Sequence, residues 1–323
     1  MARSPLIINL EHMKFDNPKS VIELAQKYQL KVIGNKEQLA FGINEIHKVT
    51  LGDITFVDVE KYYNKSLHSL ASIIIINNEV DCPPGKTLLI CEKPFEVYND
   101  IVATERPLIP LTSQISSSAL IHPEAIIEPG VVIGHHAVIG AGSHIQANVY
   151  IGEYTVIGNQ VNIQAGTIIG TDAFYYKKTN GIYSKWRSCG RVIIHNDVEV
   201  GAGCTINKGV SGDTIIGQGT KIDCQVHIGH GVVVGKHCLF AAQVGIAGKT
   251  IIGDHVTLYG QVGVAQNLHI GSNVVVYAAS GIGKDLETGK TYFGSPADEA
   301  LIKFKEIAAL KQLPEMIKRK LGN

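Results

Sequence analysis

The sequence predicts a mainly-β chain: a triangular parallel solenoid of six-residue repeats set between an N-terminal α/β domain and C-terminal helices. Two observations predict it. Isoleucine occupies 109, 115, 121, 127, 133, 139, 145, 151, 157, 163 and 169, eleven consecutive positions at a spacing of six. The same spacing returns at Ile194, Val200 and Ile206, and again at Ile216, Ile222, Ile228, Val234, Phe240, Ile246, Ile252, Leu258, Val264, Ile270, Val276 and Ile282. Six matches neither the helical period of 3.6 nor the two-residue alternation that a β-sandwich requires. A short fixed period is the mark of a solenoid.

In such a repeat one inward aliphatic plugs the coil. The next residue turns a corner, where glycine or a small polar residue is expected because the backbone needs positive φ there. Gly134, Gly140, Gly152, Gly158 and Gly170 each follow a ladder isoleucine. Three repeats make one turn of eighteen residues, and turns stack about 4.8 Å apart. No single turn buries its own plug, so the core exists only through stacking. Spacing alone permits either hand.

Residues 1–105 lack the period and read as a small α/β domain. Ser20–Leu30 is a candidate amphipathic helix. LKVIG, LAFGI, HKVTLG, ITFVD, ASIIIINN and KTLLICE read as short strands. Pro107 and Pro110 mark the hand-over to the solenoid, residues 106–296. The ladder is broken by Asp172–Gly190, which carries aromatics, Lys and Arg, and by four extra residues between Ile206 and Ile216. These breaks are the expected sites of loops that shape a cleft. Residues 297–323 turn helical, with Leu301, Phe304, Ile307, Ala308 and Leu310 on one stripe. Pro314 predicts two short helices rather than one. The stripe is expected to pack on the solenoid end or on partner copies, since bare strand edges invite aggregation. The opposite face carries Lys303, Lys305, Lys311, Lys318, Arg319 and Lys320, either a solvated face or a dock for an acidic carrier.

The 323 residues balance to zero formal charge, which gives no general reason to expect nucleic acid. No apolar run approaches a membrane span, and the start is too short in apolar residues for a secretory signal. The cysteines at 82, 91, 189, 204, 224 and 238 form no CxxC and read as reduced thiols, an expectation of a cytoplasmic protein.

A wall of aliphatics and glycines has few groups able to move a proton. The densest set is IDCQVHIGHGVVVGKHC, Ile222–Cys238, with Asp223, His227, His230 and His237. His227 and His230 flank Ile228 and its corner, with no evident third ligand, so no metal is expected. Acyl transfer to an amine instead needs a base near neutral pKa and N–H donors for an oxyanion. Gly248 lies eighteen residues after His230, hence beside it in the stack. The pair is a candidate base and oxyanion donor.

The ladder resembles the hexapeptide-repeat acyltransferases, which implies a left-handed parallel β-helix. Asp223–Gly235 followed by Ala247–Gly248 is similar to the UDP-3-O-(3-hydroxyacyl)glucosamine N-acyltransferase family of lipid A biosynthesis. So are DAFYY, the run from Gly190 to Asp223, ITFVDVEKYYNKSL with ASIIIINN, and YFGSPA. The resemblance spans nearly the whole chain in order. It implies His230 as catalytic base, Gly248 as oxyanion donor, and an N-terminal domain that binds uridine between Phe56 and Tyr62. It further implies a homotrimer, an acyl carrier protein bringing the chain on its own phosphopantetheine, a UDP-linked amino sugar as acceptor, and no resident cofactor.

Four positions depart from the family pattern. Its Asn-Pro is Val59–Glu60 here, which removes a side chain used for uracil. A second family histidine aligns with Asn267. An Asp-Arg is Asn207–Lys208, and an Asp-Asn is Asp223–Cys224. Asp223 either orients the site or caps a corner. Two other functions stay open at this stage: acetyl transfer from acetyl-CoA to a nucleotide-linked amino sugar, and a non-catalytic scaffold. The long N-terminal domain and the basic C-terminal helices argue against the first. The altered Val59, Asn207 and Asn267 leave room for the second.

Overall fold

The computed structural model describes residues 13–294 and 300–321. Its N-terminal part is a six-stranded sheet of β1 (Lys14–Ser20), β2 (Lys31–Gly34), β3 (Leu39–Ile43), β4 (Asp53–Val57), β5 (Ile73–Ile76) and β6 (Thr87–Ile90), in the order β1-β3-β4-β5-β6-β2. The four central strands run parallel and the two edges antiparallel. Helix α1 (Val21–Tyr28) starts where Ser20 Oγ accepts from the Glu23 N–H, and stops at left-handed Gln29. A short α2 (Tyr63–Leu67) follows β4, and α3 (Pro94–Glu105) buries Phe95, Tyr98, Ile101 and Val102.

One expectation is corrected in this domain, and two elements are added to it. HKVTLG forms turns between β3 and β4, where the Thr50 N–H and hydroxyl both bond to the buried Asp53 carboxylate and hold the loop curled. β1 and α3 were not anticipated. Pro18 hides a strand that sits at the sheet edge, the place where proline is tolerated. Helix α3 is amphipathic, but its polar Glu96, Asn99 and Asp100 interrupt any simple apolar run.

The solenoid has three faces of eight, nine and eight parallel strands, most of them two residues long. Register follows the eighteen-residue turn: Ile121, Ile139 and Ile157 pair in sequence, as do Ile133, Ile151 and Ile169. The stacking survives both breaks, with Ile157 paired to Ile194 and Ile194 to Ile216. The ladder residues from Ile133 to Ile282 form one buried core. Its first member does not join it: Ile109 is 53% exposed in irregular chain, since no coil lies beneath it.

The corner is built differently from the expectation. The left-handed residue is the third after most ladder positions, as at His136, Tyr154, Gln160, Asp197, His237, Gln243, Lys249 and Asn267. Most of these are not glycine. Of the five glycines directly after the ladder named above, Gly170 alone is at positive φ; the others serve a separate need, close approach of coils. A Cβ at Gly140 would lie 2.4 Å from the Gly158 carbonyl oxygen, and one at Gly152 2.5 Å from that of Gly170. Left-handed glutamines on one corner also join coil to coil, the Gln261 Nε2 donating to Gln243 Oε1 and the Gln243 Nε2 to Gln225 Oε1, each 2.8 Å.

Asp172–Gly190 forms a hairpin, Tyr176–Thr179 with Ile182–Lys185, that meets the N-terminal domain. Trp186 packs on Phe56, Phe95 and Tyr98, Lys177 pairs with Asp58, and Arg187 donates to the Arg106 carbonyl at 2.6 Å. At the C-terminus one helix, α4 (Ala300–Leu321), runs through Pro314. The expected break is absent because this turn is exposed, so water can satisfy the carbonyl that proline leaves unbonded. Phe304, Leu310 and Met316 are also exposed, so among the described residues their stripe packs on no other element. Ser295–Glu299 lie outside the described residues, as do the side chains of Ala300–Lys303, so the expectations for YFGSPA beyond Gly294 and for Leu301 and Lys303 rest there.

Close approach predicts a contrast between two glycines at the same corner position. Gly140→Ala should destabilise by about 1–3 kcal/mol through overpacking. Gly283→Ala, with nothing within 4 Å of its Cβ, should stay within about 1 kcal/mol of wild type. Urea unfolding of the two variants measures both.

Candidate active site

The stack delivers the predicted pair. The Lys249 N–H donates to the His230 carbonyl at 2.8 Å, locking the coil of Gly248 onto that of His230. The His230 imidazole lies over the Gly248 Cα: a Cβ there would sit 2.6 Å from Nε2, 2.8 Å from Cε1 and 2.9 Å from Cδ2. Any side chain at 248 would displace the ring. At some corners the second residue after the ladder has its N–H capped by the next coil, as Lys236 by Asp254 Oδ1 and Asp254 by Ser272 Oγ. The next coil offers Ala265–Gln266 beyond Gly248, and the Gly248 N–H makes no hydrogen bond among the described residues.

His230 is 9% exposed, and its buried Nδ1 has no hydrogen-bond partner. Burial, and then the Lys249 ammonium, push its pKa down to about 4, against a smaller upward pull from Glu45. The ring is therefore a free base at neutral pH. The Tyr175 ring packs beside it at 5.1 Å.

A cleft of about 460 Å³ opens next to this pair, lined by Phe174, Asn207, His227, Gly245, Gly263 and Gln266 among others. Its floor follows from register. His227, Gly245, Gly263 and Gly281 stand opposite one another on four successive coils. A Cβ at any of these three glycines would meet nothing within 4 Å. They form a trough leading down the face from the histidines. Both ladder breaks reach the cleft, through Phe174 and Asn207.

The other predicted residues disperse. His227 Nδ1 meets Thr205 Oγ1 at 2.7 Å and does not share a partner with His230. Asp223 is exposed, and its Oδ1 accepts from the Cys224 N–H at 2.7 Å, a corner cap outside the cleft. Asn267 is exposed one coil beyond Lys249, and its N–H donates to the Gly248 carbonyl at 3.1 Å. Tyr62 is 48% exposed beneath Lys61, whereas Phe56 is half-buried against Tyr98 and Trp186 at 4.9 and 5.1 Å. No ring contact joins Phe56 to Tyr62. Asn207 donates to Thr171 Oγ1 and the Asp172 carbonyl, and buried Lys208 pairs with Glu153 and Asp172 at 3.0 and 3.2 Å.

Sequence reasoning missed Tyr175, Lys249 and Glu45. Tyr175 lies in a ladder break, and that was a usable signal. Glu45 carries none, because it reaches the site from some two hundred residues away.

Residues 112–147 and 213–248 match the family described as bacterial transferase hexapeptide (six repeats). The chain is 36% identical over 243 residues to UDP-3-O-acylglucosamine N-acyltransferase 1 of Legionella pneumophila, covering 68% of this chain and 69% of that one. It is 38% identical over 237 residues to UDP-3-O-acylglucosamine N-acyltransferase of a Bradyrhizobium species, covering 63% and 66%. The crystal structure of Francisella novicida UDP-N-acetylglucosamine acyltransferase superposes with a TM-score of 0.52 at 29% identity, over 64% of this chain and 78% of that one. The solenoid belongs to the left-handed parallel β-helix class.

The site predicts a histidine that titrates far from the ordinary range. The folded ring takes its proton near pH 4 and the unfolded one near 6.5. The unfolded chain then binds more protons between those values, so stability falls as pH drops through that window. An NMR titration of the His230 Cε1 proton should give a midpoint near 4; a midpoint near 6.5 would mean a solvated ring.

Proposed function

The chain belongs to the UDP-3-O-acylglucosamine N-acyltransferase family, and from that premise we propose that it transfers a 3-hydroxyacyl chain from acyl carrier protein to the 2-amine of UDP-3-O-acyl-glucosamine in lipid A biosynthesis. The observation that carries this reading is the His230 imidazole lying over a side-chain-free Gly248 whose N–H is unbonded, at the edge of an open cleft. The amine nitrogen attacks the thioester carbon while His230 takes its proton. The Gly248 N–H then faces the oxygen on which negative charge develops. Collapse of the intermediate breaks the C–S bond, and His230 returns the proton to the departing thiolate. The depressed pKa of His230 keeps the ring unprotonated and ready at neutral pH.

The remaining parts are assigned by their surfaces. The glycine trough of Gly245, Gly263 and Gly281 suits an aliphatic chain, which needs apolar width and no hydrogen bonds. The exposed Tyr62 ring offers a face for uracil, while the faces of Phe56 are largely taken by its aromatic neighbours. Val59 supplies no side-chain hydrogen bond there, so base recognition falls to other groups. The exposed Lys305, Lys311, Lys318, Arg319 and Lys320 of α4 complement an acidic carrier, whose on-rate then falls with salt. The exposed apolar stripe of the same helix is covered in a homotrimer, and a heterologous contact closes such a prism into a ring. The chemistry asks nothing of a resident cofactor, because the phosphopantetheine arrives on the carrier. No described helix is long and apolar enough to cross a membrane. A carrier-borne acyl donor and a sugar nucleotide would both be met in the cytoplasm, which is the compartment this reading assigns.

The test is incubation with 3-hydroxyacyl carrier protein and UDP-3-O-acyl-glucosamine, with acetyl-CoA in a parallel arm. Wild type should form the N-acylated product, and His230→Ala should lose about 10²–10⁴ in rate. No transfer by wild type, equal transfer by the variant, or transfer from acetyl-CoA alone would overturn the reading. Gly263→Leu should obstruct the trough one coil below Gly245 and shift donor preference to shorter chains, each methylene being worth about 1–3 kcal/mol.

A further inference from the structure

The coil that carries Gly248 continues into Lys249, and two remote parts of the chain meet on that side chain. The Lys249 Nζ donates to Glu45 Oε1 at 2.6 Å and to His47 Nε2 at 3.3 Å, both from the N-terminal domain. It also reaches the Tyr175 hydroxyl at 3.3 Å and lies 4.3 Å from the centre of the Tyr175 ring. Both charged side chains are largely covered, 16% exposed for Lys249 and 7% for Glu45.

Glu45 is itself fixed. Its N–H donates to Ser211 Oγ at 2.8 Å, and its second carboxylate oxygen accepts from the Ser211 N–H at 3.4 Å, so it is tied to the second ladder break. Burial alone would lower the Lys249 pKa, but Glu45 and Tyr175 outweigh it and hold the ammonium charged. A buried pair bonded this fully is a fixed structural element, and removing one partner leaves a buried charge uncompensated.

Tyr175 passes the constraint on. Its ring packs against His230 at 5.1 Å and against Trp186 at 5.0 Å, and Trp186 packs on Phe56 at 5.1 Å. A continuous row of rings therefore runs from the N-terminal sheet to the imidazole. His230 has no hydrogen-bond partner on Nδ1, so packing rather than a carboxylate orients it.

We propose that Lys249, clamped by Glu45 and Tyr175, is a positioning residue that holds the His230 imidazole face-on over Gly248 and makes that geometry depend on docking of the N-terminal domain. The inference rests on the proposed role of His230 as base. It adds a route by which a ligand held on the N-terminal domain changes the readiness of the base: anything that shifts the segment of Glu45 and His47 moves Lys249, and with it Tyr175. The charged and titratable groups near His230 are Lys249 and, through it, Glu45 and His47, together with Tyr175 and, on its own coil, His227.

Two variants and two readouts test it. Lys249→Met keeps the stem and removes the charge. It should lower kcat about tenfold with KM changed less than twofold, as expected when a reacting group is misplaced by a fraction of an ångström. It should also move the His230 NMR midpoint upward, toward the ordinary histidine value of 6.5. Lys249→Arg should retain the clamp and recover kcat to within about threefold of wild type, because a guanidinium can still pair with the Glu45 carboxylate. Glu45→Gln should lower kcat without raising the midpoint, since Glu45 pulls in the opposite direction to Lys249. The NMR titration needs no substrate. Loss of the Tyr175–His230 ring contact in Lys249→Met, read from NMR cross-relaxation, while wild type transfers no acyl chain would remove the proposed reaction and support the clamp. An active wild type whose kcat and midpoint are both unchanged in Lys249→Met would overturn the clamp and leave the reaction standing.

Discussion

The stacking of eighteen-residue coils governs everything else in the molecule. Each coil is too small to bury its own aliphatic plug, so Ile228 is shielded only because Ile206 and Ile246 lie on either side of it. That dependence keeps successive coils in strict register. It is also why residues eighteen apart in sequence become neighbours about 4.8 Å apart in space. The cleft uses this arithmetic three times: Gly248 beneath the His230 ring, the aligned glycines of the trough, and Lys249 bonded through its backbone to His230. A register slip would dismantle the site and the core together.

Chemistry enters where the regular coil stops. A pure solenoid presents short strands and capped corners, with little to orient a lone imidazole. The two ladder breaks change that. One brings Tyr175 and Trp186 against the site, and the other brings Ser211 to hold Glu45. Packing from the N-terminal sheet then fixes a histidine that has no hydrogen bond on Nδ1. The consequence is electrostatic as well as steric. Burial and the neighbouring ammonium keep the ring neutral, while Glu45 keeps the ammonium from being an isolated buried charge.

The departures from the family pattern resolve in different ways. Lys208 sits in a buried ion network with Glu153 and Asp172, so its charge is structural in this chain. Asn207 bonds across to the first break and lines the cleft with it. Asp223 caps its own corner. Asn267 contributes its backbone to the coil that holds Gly248, and its side chain is exposed.

By itself the sequence determined the architecture, because a period of six repeated over most of the chain admits one kind of core. It also determined the pairing of His230 with Gly248, which needs nothing beyond counting one turn. Local patterning placed β2 to β6 and α1 closely, but it misread the corners: the glycines after the ladder are required by contact between coils, and the left-handed residue stands two positions later. Helix α4 crosses Pro314 because exposure, which no local pattern reports, makes the lost hydrogen bond tolerable. Tertiary structure alone decided what surrounds His230. Glu45, Tyr175 and Lys249 converge across some two hundred residues of chain, and a contact of that span is set by how whole domains dock, for which a single sequence carries no period.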